Sequence, residues 1–300
     1  MTMSDKKNSS ENYAAFNYCL SFIDLLGQRD AVHNQGLLPT IKTEAEDKAF
    51  RATIRASIGS IIRLQRDAET MVEGVLKERP DSPFRVKLSK EEQAIWDQMQ
   101  LTRLTTQRWS DGLVSFVCLG DQDVKCPMNG VYGIFCLAGS LCFLGLAMKQ
   151  PVRGAIDIAW GVELHPGELY GPAVARAYEL ESEVAQYPRI VVGARAVEFL
   201  QAYHANPEQD PFSRLNHNLA ELCLNMLVQD VDGFWILHYL GDAFQWSVTH
   251  ANHRFLHEKA KAFVLEQVEY HQKSLNSKLA FRYSHLLDYF NAHPLSTNGP

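Results

Sequence analysis

Residues 17–27 read NYCLSFIDLLG, an apolar run that ends in a carboxylate and is followed by a short turn. A run of this length, rich in aromatic and aliphatic residues and bounded by a turn, predicts a strand buried inside a sheet. Asp24 is then expected at the strand end, where the sheet holds its carboxylate rigidly. Taken alone, an aspartate in such a place is more often a turn former or a cap than a metal ligand.

A second stretch, WSDGLVSFVCLG at residues 109–120, predicts a hairpin with Ser110, Asp111 and Gly112 at its turn. Asp111 is therefore a second carboxylate held by strands. Two such carboxylates, brought together by the fold, can bind Mg²⁺ or Mn²⁺ on the oxygens of a triphosphate.

The composition of the chain limits the classes of protein to which it can belong. The chain has 300 residues, 46% of them hydrophobic, which is enough for a large core. Its net charge of -6 argues against a general nucleic-acid binder, so we expect no nucleic acid among its partners. Six cysteines lie in apolar stretches without a C-x-x-C pair, which favours reduced thiols in a cytoplasmic protein. The polar N-terminus lacks the apolar run of a signal peptide, and residues 1–12 are predicted to be a disordered leader.

One apolar segment raises the question of a membrane. Residues 126–148 contain no charged side chain, and residues 131–148 approach the length of a membrane span. The competing interpretation is a helix buried on nearly all sides, since the glycines of the segment allow close packing. Strand-like runs flank the segment, and a span would separate them across a bilayer. We therefore predict a core helix at 129–148 and no membrane association.

Strand-like and helical segments alternate along the rest of the chain. Strands are predicted at 152–160 and within 189–193, and the apolar spacing of amphipathic helices occurs at 43–76, 89–105, 172–186, 193–204, 212–228 and, for the most part, 250–292. This alternation predicts an α+β sandwich, with one mixed sheet and helices packed against it.

The order of these segments suggests how the chain is divided. Residues 13–205 would form the main, catalytic domain, with a helical insertion at about 40–106. Residues 206–300 would form a helical C-terminal extension that adds one strand and packs on the same domain.

Four motifs occur in the order found in class III nucleotidyl cyclases. FIDLLG at 22–27 resembles the F-x-D-[IL]-x-G metal motif of that family, and Asp111 in its hairpin resembles the second metal aspartate. Residues 153–161 resemble the central strand, and residues 171–180 resemble the glycine-led helix that lines the active site. The resemblance covers about residues 16–203. It implies a class III cyclase-like, ferredoxin-like sheet flanked by helices, to which the insertion and the C-terminal helices are additions.

The resemblance also implies roles for individual residues. Asp24 and Asp111, with the backbone carbonyl of Leu25, would bind two Mn²⁺ or Mg²⁺ ions. Phe22 and Arg153 would contact the substrate. For Arg153, pairing with a nearby carboxylate is an equally good interpretation.

The active-site helix departs from the pattern of the common purine cyclases. Ala175 and Glu179 stand where those enzymes carry an Asn and an Arg that stabilise the transition state. Arg176, displaced by one position, is a candidate for the missing charge, although helical geometry turns it roughly 100° away. Glu179 is retained as a second catalytic candidate. Gln107 occupies the position of the purine-reading Lys and Glu168 lies near the second base-reading position, so the base is expected to be neither adenine nor guanine.

Together, FIDLLG, SDG, RGAI, GPAVARAYELE and YPRI resemble the bacterial pyrimidine cyclases of Pycsar antiphage systems. This resemblance implies a cytoplasmic homodimer that makes cyclic UMP or cyclic CMP from UTP or CTP during infection, with UTP favoured. The product would activate a separate effector protein. The alternative is a catalytically inactive, cyclase-like module that senses a nucleotide or a partner. The departures at Ala175 and Glu179 are the reason to consider it.

Two charged residues near these motifs are expected to have ordinary roles. Glu181, in an amphipathic helix, is expected to face solvent. Arg189 is expected to hold the start of a strand against the C-terminus of a helix.

Overall fold

The structure is a computed structural model, and it describes residues 14–27, 36–76, 89–99, 102–120, 126–205, 210–248 and 253–294. The predicted leader at 1–12 lies outside these residues, as does most of the loop that joins the first two predicted helices.

A single mixed sheet of eight strands forms the centre of the described chain. Seven strands follow the order β2-β3-β1-β4-β6-β8-β7, and β5 pairs with β4. The strands are β1 (Phe16–Leu25), β2 (Thr105–Trp109), β3 (Gly112–Cys118), β4 (Val152–His165), β5 (Glu168–Tyr170), β6 (Ile190–Val192), β7 (Leu227–Gln229) and β8 (Trp235–Leu237).

Helices cover both faces of this sheet. They are α1 (Glu44–Leu76), α2 (Lys90–Met99), α3 (Pro127–Ala147), α4 (Pro172–Glu179), α5 (Ala194–Ala205), α6 (Pro211–Asn225), α7 (Asp242–Ser247), α8 (His253–Lys273) and α9 (Ser277–Ala292). A π-helical turn, Leu180–Val184, continues α4.

The first four strands have ferredoxin-like topology. β1 pairs antiparallel with both β3 and β4, and β2 pairs antiparallel with β3, which gives the spatial order β4-β1-β3-β2. With helices between β1 and β2 and between β3 and β4, this is the βαββαβ arrangement. β6 then joins β4 in parallel, which makes the sheet mixed. The predicted α+β fold, a mixed sheet flanked by helices, is confirmed.

β1 lies between β3 and β4 in the sheet, and side chains on both of its faces are buried. Cys19 and Ile23 belong to the large core cluster on the α3 side, and Leu20 and Phe22 belong to a smaller cluster with α4. Successive side chains of a strand point to opposite faces. The alternation places Asp24 on the α4 side, at the end of the strand.

The apolar helix α3 is a core helix in this structure. It is long and apolar enough to cross a membrane, but 83% of its most apolar 18-residue window is buried inside the protein. Three of its glycines allow this packing, since a Cβ atom would lie 2.4 Å from the Val117 side chain at Gly130, 2.3 Å from the Phe244 ring at Gly139, and 2.6 Å from the Gln150 carbonyl oxygen at Gly145.

Three predicted helices end earlier in the structure. The helix predicted at 89–105 ends at Met99, and Thr105 is already the first residue of β2. The helix predicted at 172–186 is α-helical only to Glu179 and then becomes the π turn. The helix predicted at 212–228 ends at Asn225, because the residues after it pair with β8 as β7. The C-terminal part of the chain therefore contributes two short strands to the sheet.

Candidate active site

The pairing of β1 with β3 brings the two predicted metal aspartates together. Asp24 lies opposite Gly112 in the antiparallel register, and Asp111 is the turn residue that precedes Gly112. The turn has only two residues, and Ser110 adopts a left-handed conformation with φ of 56°. Such a tight turn holds the Asp111 backbone next to the end of β1.

The two carboxylates interact electrostatically. Burial, followed by the negative charge of Asp111, raises the pKa of Asp24 to about 6, although Arg153 and a hydrogen bond from the Leu25 backbone lower it. The side chain of Asp24 is only 22% exposed. Negative charge at this strand end is therefore only partly neutralised by the protein.

Arg153 is the cation of the site. It lies directly opposite Asp24 in the β1–β4 register, with Nη2 at 3.7 Å from Oδ2 of Asp24. Its Nε lies 2.5 Å from Oε1 of Glu181. Of the two roles that the sequence allowed for Arg153, the structure displays the pairing with carboxylates.

Glu181 is a site residue that the sequence analysis did not assign. It was expected to face solvent, but its side chain is only 3% exposed. Burial raises its pKa to about 7, and the charges of Asp24 and Asp111 add to the increase, whereas Arg153 lowers it. The sequence contained a signal for this position. Ala173 and Ala177 precede Glu181 at four-residue intervals, which places all three on one face of a helix. In the structure both alanines are buried, and this face is the buried one.

Aromatic side chains form one wall beside the aspartates. The Phe22 ring lies 5.8 Å from the ring of Trp109 and 5.4 Å from that of Tyr178, between centroids. Trp109 and Tyr178 are about half-exposed, whereas Phe22 is buried beneath them. The predicted substrate contact of Phe22 would therefore be made together with these two rings.

Of the two predicted base-reading residues, Gln107 contacts the backbone of the residue that follows Glu168. Oε1 of Gln107 accepts a hydrogen bond from the backbone N–H of Leu169, at 3.2 Å, which ties β2 to β5. Glu168, the preceding residue of β5, is exposed. The contact holds β5 against the side chain of Gln107, although β2 and β5 do not pair in the sheet.

The two predicted catalytic residues of α4 lie elsewhere. The Nε of Arg176 pairs with Oδ2 of Asp157 at 2.9 Å, and Oδ1 of this fully buried carboxylate accepts the N–H of Ala196 in the first turn of α5. Glu179 is exposed. Among the described contacts, none joins Arg176 or Glu179 to the aspartates. Arg176 neutralises a buried carboxylate, a partner that the helical sequence alone could not reveal.

The donor atoms of this site suit a hard divalent cation. Carboxylate and carbonyl oxygens are the ligands that Mg²⁺ and Mn²⁺ prefer. Within the described ranges, no three His, Cys, Asp or Glu side chains are grouped closely enough to hold one ion. Two aspartates and the Leu25 backbone would leave positions for substrate phosphates, which is how Mg²⁺ is commonly bound.

Similarity to known proteins is found in structure and not in sequence. The chain matches no protein-family model and no curated protein sequence. Among solved structures, it is similar to the adenylyl cyclase CyaB from P. aeruginosa, with a TM-score of 0.40 and 9% sequence identity, over 63% of this chain and 82% of that chain. The functional conclusion depends on the residues of the site.

Proposed function

We propose that the chain is a nucleotide cyclase that converts a pyrimidine nucleoside triphosphate, UTP or CTP, to its 3′,5′-cyclic monophosphate and pyrophosphate. The observation that carries the proposal is the β1–β3 register, which sets Asp24 beside Asp111 at one end of the sheet. The motif resemblance to class III cyclases, and to their Pycsar branch, supports the choice of reaction.

The reaction is an intramolecular phosphoryl transfer. The ribose 3′-oxygen attacks the α-phosphorus and loses its proton to water, and the bond from the α-phosphorus to the bridging oxygen of the β-phosphate breaks. Two Mg²⁺ or Mn²⁺ ions would supply an activated 3′-hydroxyl and charge neutralisation on the departing pyrophosphate. Asp24, Asp111 and the Leu25 carbonyl would hold those ions, and Arg153 would hold phosphate oxygens. Positioning and charge stabilisation provide most of the rate gain in such transfers.

The choice of a pyrimidine depends on the base-reading pair. Oε1 of Gln107 already accepts the N–H of Leu169, but the carboxamide keeps its N–H donors and a second lone pair, whereas the Lys of purine cyclases offers donors only. Glu168, which precedes Leu169 on β5, would contact the same base, and the rings of Phe22, Trp109 and Tyr178 would supply an apolar wall. UTP remains the favoured substrate on the family resemblance.

The cellular role and the assembly are part of the same proposal. The resemblance to Pycsar cyclases supports a cytoplasmic homodimer whose product activates a separate effector in antiphage defence. Half-exposed rings at Trp109, Trp160, Tyr170 and Tyr178 support a protein interface, since aromatic residues are enriched there. Buried packing of α3 supports a protein that needs no membrane.

A second candidate is a cyclase-like module that binds nucleotide without turnover. One observation favours it: Arg176, the candidate for the transition-state charge, is engaged with the buried Asp157. The half-buried aspartate pair favours the enzyme, because a binding module has no need of two metal carboxylates.

Incubation of the protein with each of the four ribonucleoside triphosphates and Mn²⁺, followed by chromatography, tests the proposal. We expect a cyclic monophosphate and pyrophosphate from UTP or CTP. Asp24→Asn and Asp111→Asn should each lower product formation by about 100-fold or more, since each removes a metal ligand. Asp288→Asn, at an exposed position of α9, is the matched control.

The outcomes separate the two candidates. Nucleotide binding by the folded protein without any cyclic product would reject the enzyme in favour of the sensing module. Full activity of either site variant would reject the assignment of the metal ligands.

A further inference from the structure

Arg153 is held between two carboxylates that belong to different elements. Its Nε faces Glu181 on the π turn, and its terminal Nη2 faces Asp24 on β1. All three side chains are less than a quarter exposed, so water and salt screen these ion pairs less than they screen surface pairs. Glu181 therefore forms an ion pair with the inner end of the guanidinium, at Nε, and the terminal Nη2 lies on the side of Asp24.

We propose that Glu181 is a positioning residue: it fixes the guanidinium of Arg153 beside Asp24, where the terminal nitrogens bind the triphosphate of the substrate. The inference rests on the proposed function and deepens it. A guanidinium suits this task because its planar fork of donors matches phosphate oxygens. Without Glu181, the same guanidinium would be free to turn fully onto the carboxylate of Asp24.

The π turn gives Glu181 a rigid support. The N–H of Ala185 donates to the carbonyl of Leu180 at 2.9 Å, which closes the wide turn. At its end, Nη2 of Arg189 donates to the carbonyl of Val184 at 2.8 Å. Arg189 is itself buried and pairs with Asp230 at 2.5 Å. A side chain carried on such a buttressed turn keeps its position, as residues that support a site must.

Three roles for Glu181 predict different responses of polyphosphate binding. As a negative charge alone, it repels the polyphosphate, so its removal strengthens binding. As a metal ligand, its removal weakens binding whether or not Arg153 is present. As a positioning residue, its removal weakens binding only while Arg153 is present, because the two side chains act as one unit.

The experiment is a double-mutant cycle on binding of inorganic tripolyphosphate at saturating Mn²⁺, measured by isothermal titration calorimetry. This probe has no base and is not turned over by cyclisation. We expect Glu181→Gln to weaken binding by about 10-fold, and to cause no further weakening in the Arg153→Gln background. Glu183→Gln, which removes an exposed charge from the same π turn, is the control and should leave binding unchanged.

The inference would be overturned if Glu181→Gln weakened binding equally with and without Arg153, or if it strengthened binding in the protein that retains Arg153. Thermal unfolding checks that each variant is folded; if Glu181→Gln is not, Glu181→Asp takes its place in the same cycle. Formation of cyclic product by the unmodified protein is measured separately, so failure of the cyclase proposal and failure of the Glu181 role give different results.

Discussion

At the scale of single residues, Asp24 lies among charges of both signs. It is mostly buried, it faces Asp111, and it shares Arg153 with Glu181. Its pKa is raised to about 6, from 3.8 for the free side chain, so the folded protein holds its proton more tightly than the unfolded chain does. The ionised form of Asp24 therefore lowers the free energy of unfolding above about pH 6, and this loss disappears as the pH falls toward 3.8.

Asp24→Asn is expected to make the metal-free protein more stable at pH 8. The variant removes a charge that the folded state disfavours, so its melting temperature should exceed that of the unmodified protein in EDTA. The excess should shrink as the pH falls below about 6, where the unmodified protein is protonated at Asp24. Thermal unfolding at pH 8 and pH 5 measures both values. An excess that is equal at the two pH values would contradict the raised pKa.

The sequence predicted part of this site. Asp24, Asp111 and Arg153 could be identified because each lies at a strand end or a turn within a recognisable motif. The partners of Arg153 and Arg176 could not, since Glu181 and Asp157 meet them only through the packing of α4 and the π turn on the sheet. Sequence spacing shows which side chains share one face of a helix or strand. An ion pair between two elements also depends on which of their faces pack together.

At the scale of elements, α3 depends on the absence of side chains at three of its positions. A Cβ atom at Gly139 would lie 2.3 Å from the Phe244 ring and 2.9 Å from the Leu237 side chain. Both neighbours are buried, so neither can move without disturbing the core. Gly59 of α1 differs, because a Cβ atom there would meet nothing within 4 Å.

Alanine at these two glycines is expected to have opposite effects. Gly139→Ala should lower the free energy of unfolding by about 1–3 kcal/mol, because overpacking outweighs the gain in helix propensity. Gly59→Ala should raise it by about 0.5–1 kcal/mol, since it gains propensity in open space. Urea denaturation of both variants measures the difference. A stabilised Gly139→Ala variant would contradict the close packing of α3.

Predictions of whole elements succeeded where the pattern was long. The apolar run of β1, the β2–β3 hairpin and the uncharged α3 were predicted from the sequence, and each lies near its predicted position. The π turn was not predicted, because over five residues its spacing resembles that of an α-helix. β7 was not predicted either, since its three residues continue an apolar helical pattern and become a strand only by pairing with β8.

At the scale of the molecule, the C-terminal helices are tied to the part of the chain that carries the site. Arg282 of α9 donates to Gln186, just after the π turn, and His285 of α9 contacts Asp230 at 3.0 Å. At the other end of α9, His238 contacts the Tyr289 hydroxyl at 2.8 Å. Burial, followed by the nearby His293, lowers the pKa of His238 to about 4.

Acid is expected to weaken the attachment of α9 through His238. In the unfolded chain this histidine takes up a proton near pH 6.5, whereas the folded state resists it down to about pH 4, so its contribution to stability is complete above pH 6.5 and is lost as the pH falls to 4. Between pH 7 and pH 5, the unmodified protein should lose about 1–2 kcal/mol more than His238→Asn. Urea denaturation at both pH values measures the two losses, and equal losses would contradict the prediction.

The alternation of side chains along β1 has a consequence for engineering. One side of this strand maintains the large cluster around α3, whereas the other side ends in the carboxylate on which the proposed chemistry depends. Selectivity could thus be redesigned on the α4 side, at Gln107 and its neighbours, while the residues that secure the fold stay as they are. Such changes would leave the large cluster around α3 untouched, as long as the smaller cluster that Leu20 and Phe22 form with α4 is also kept.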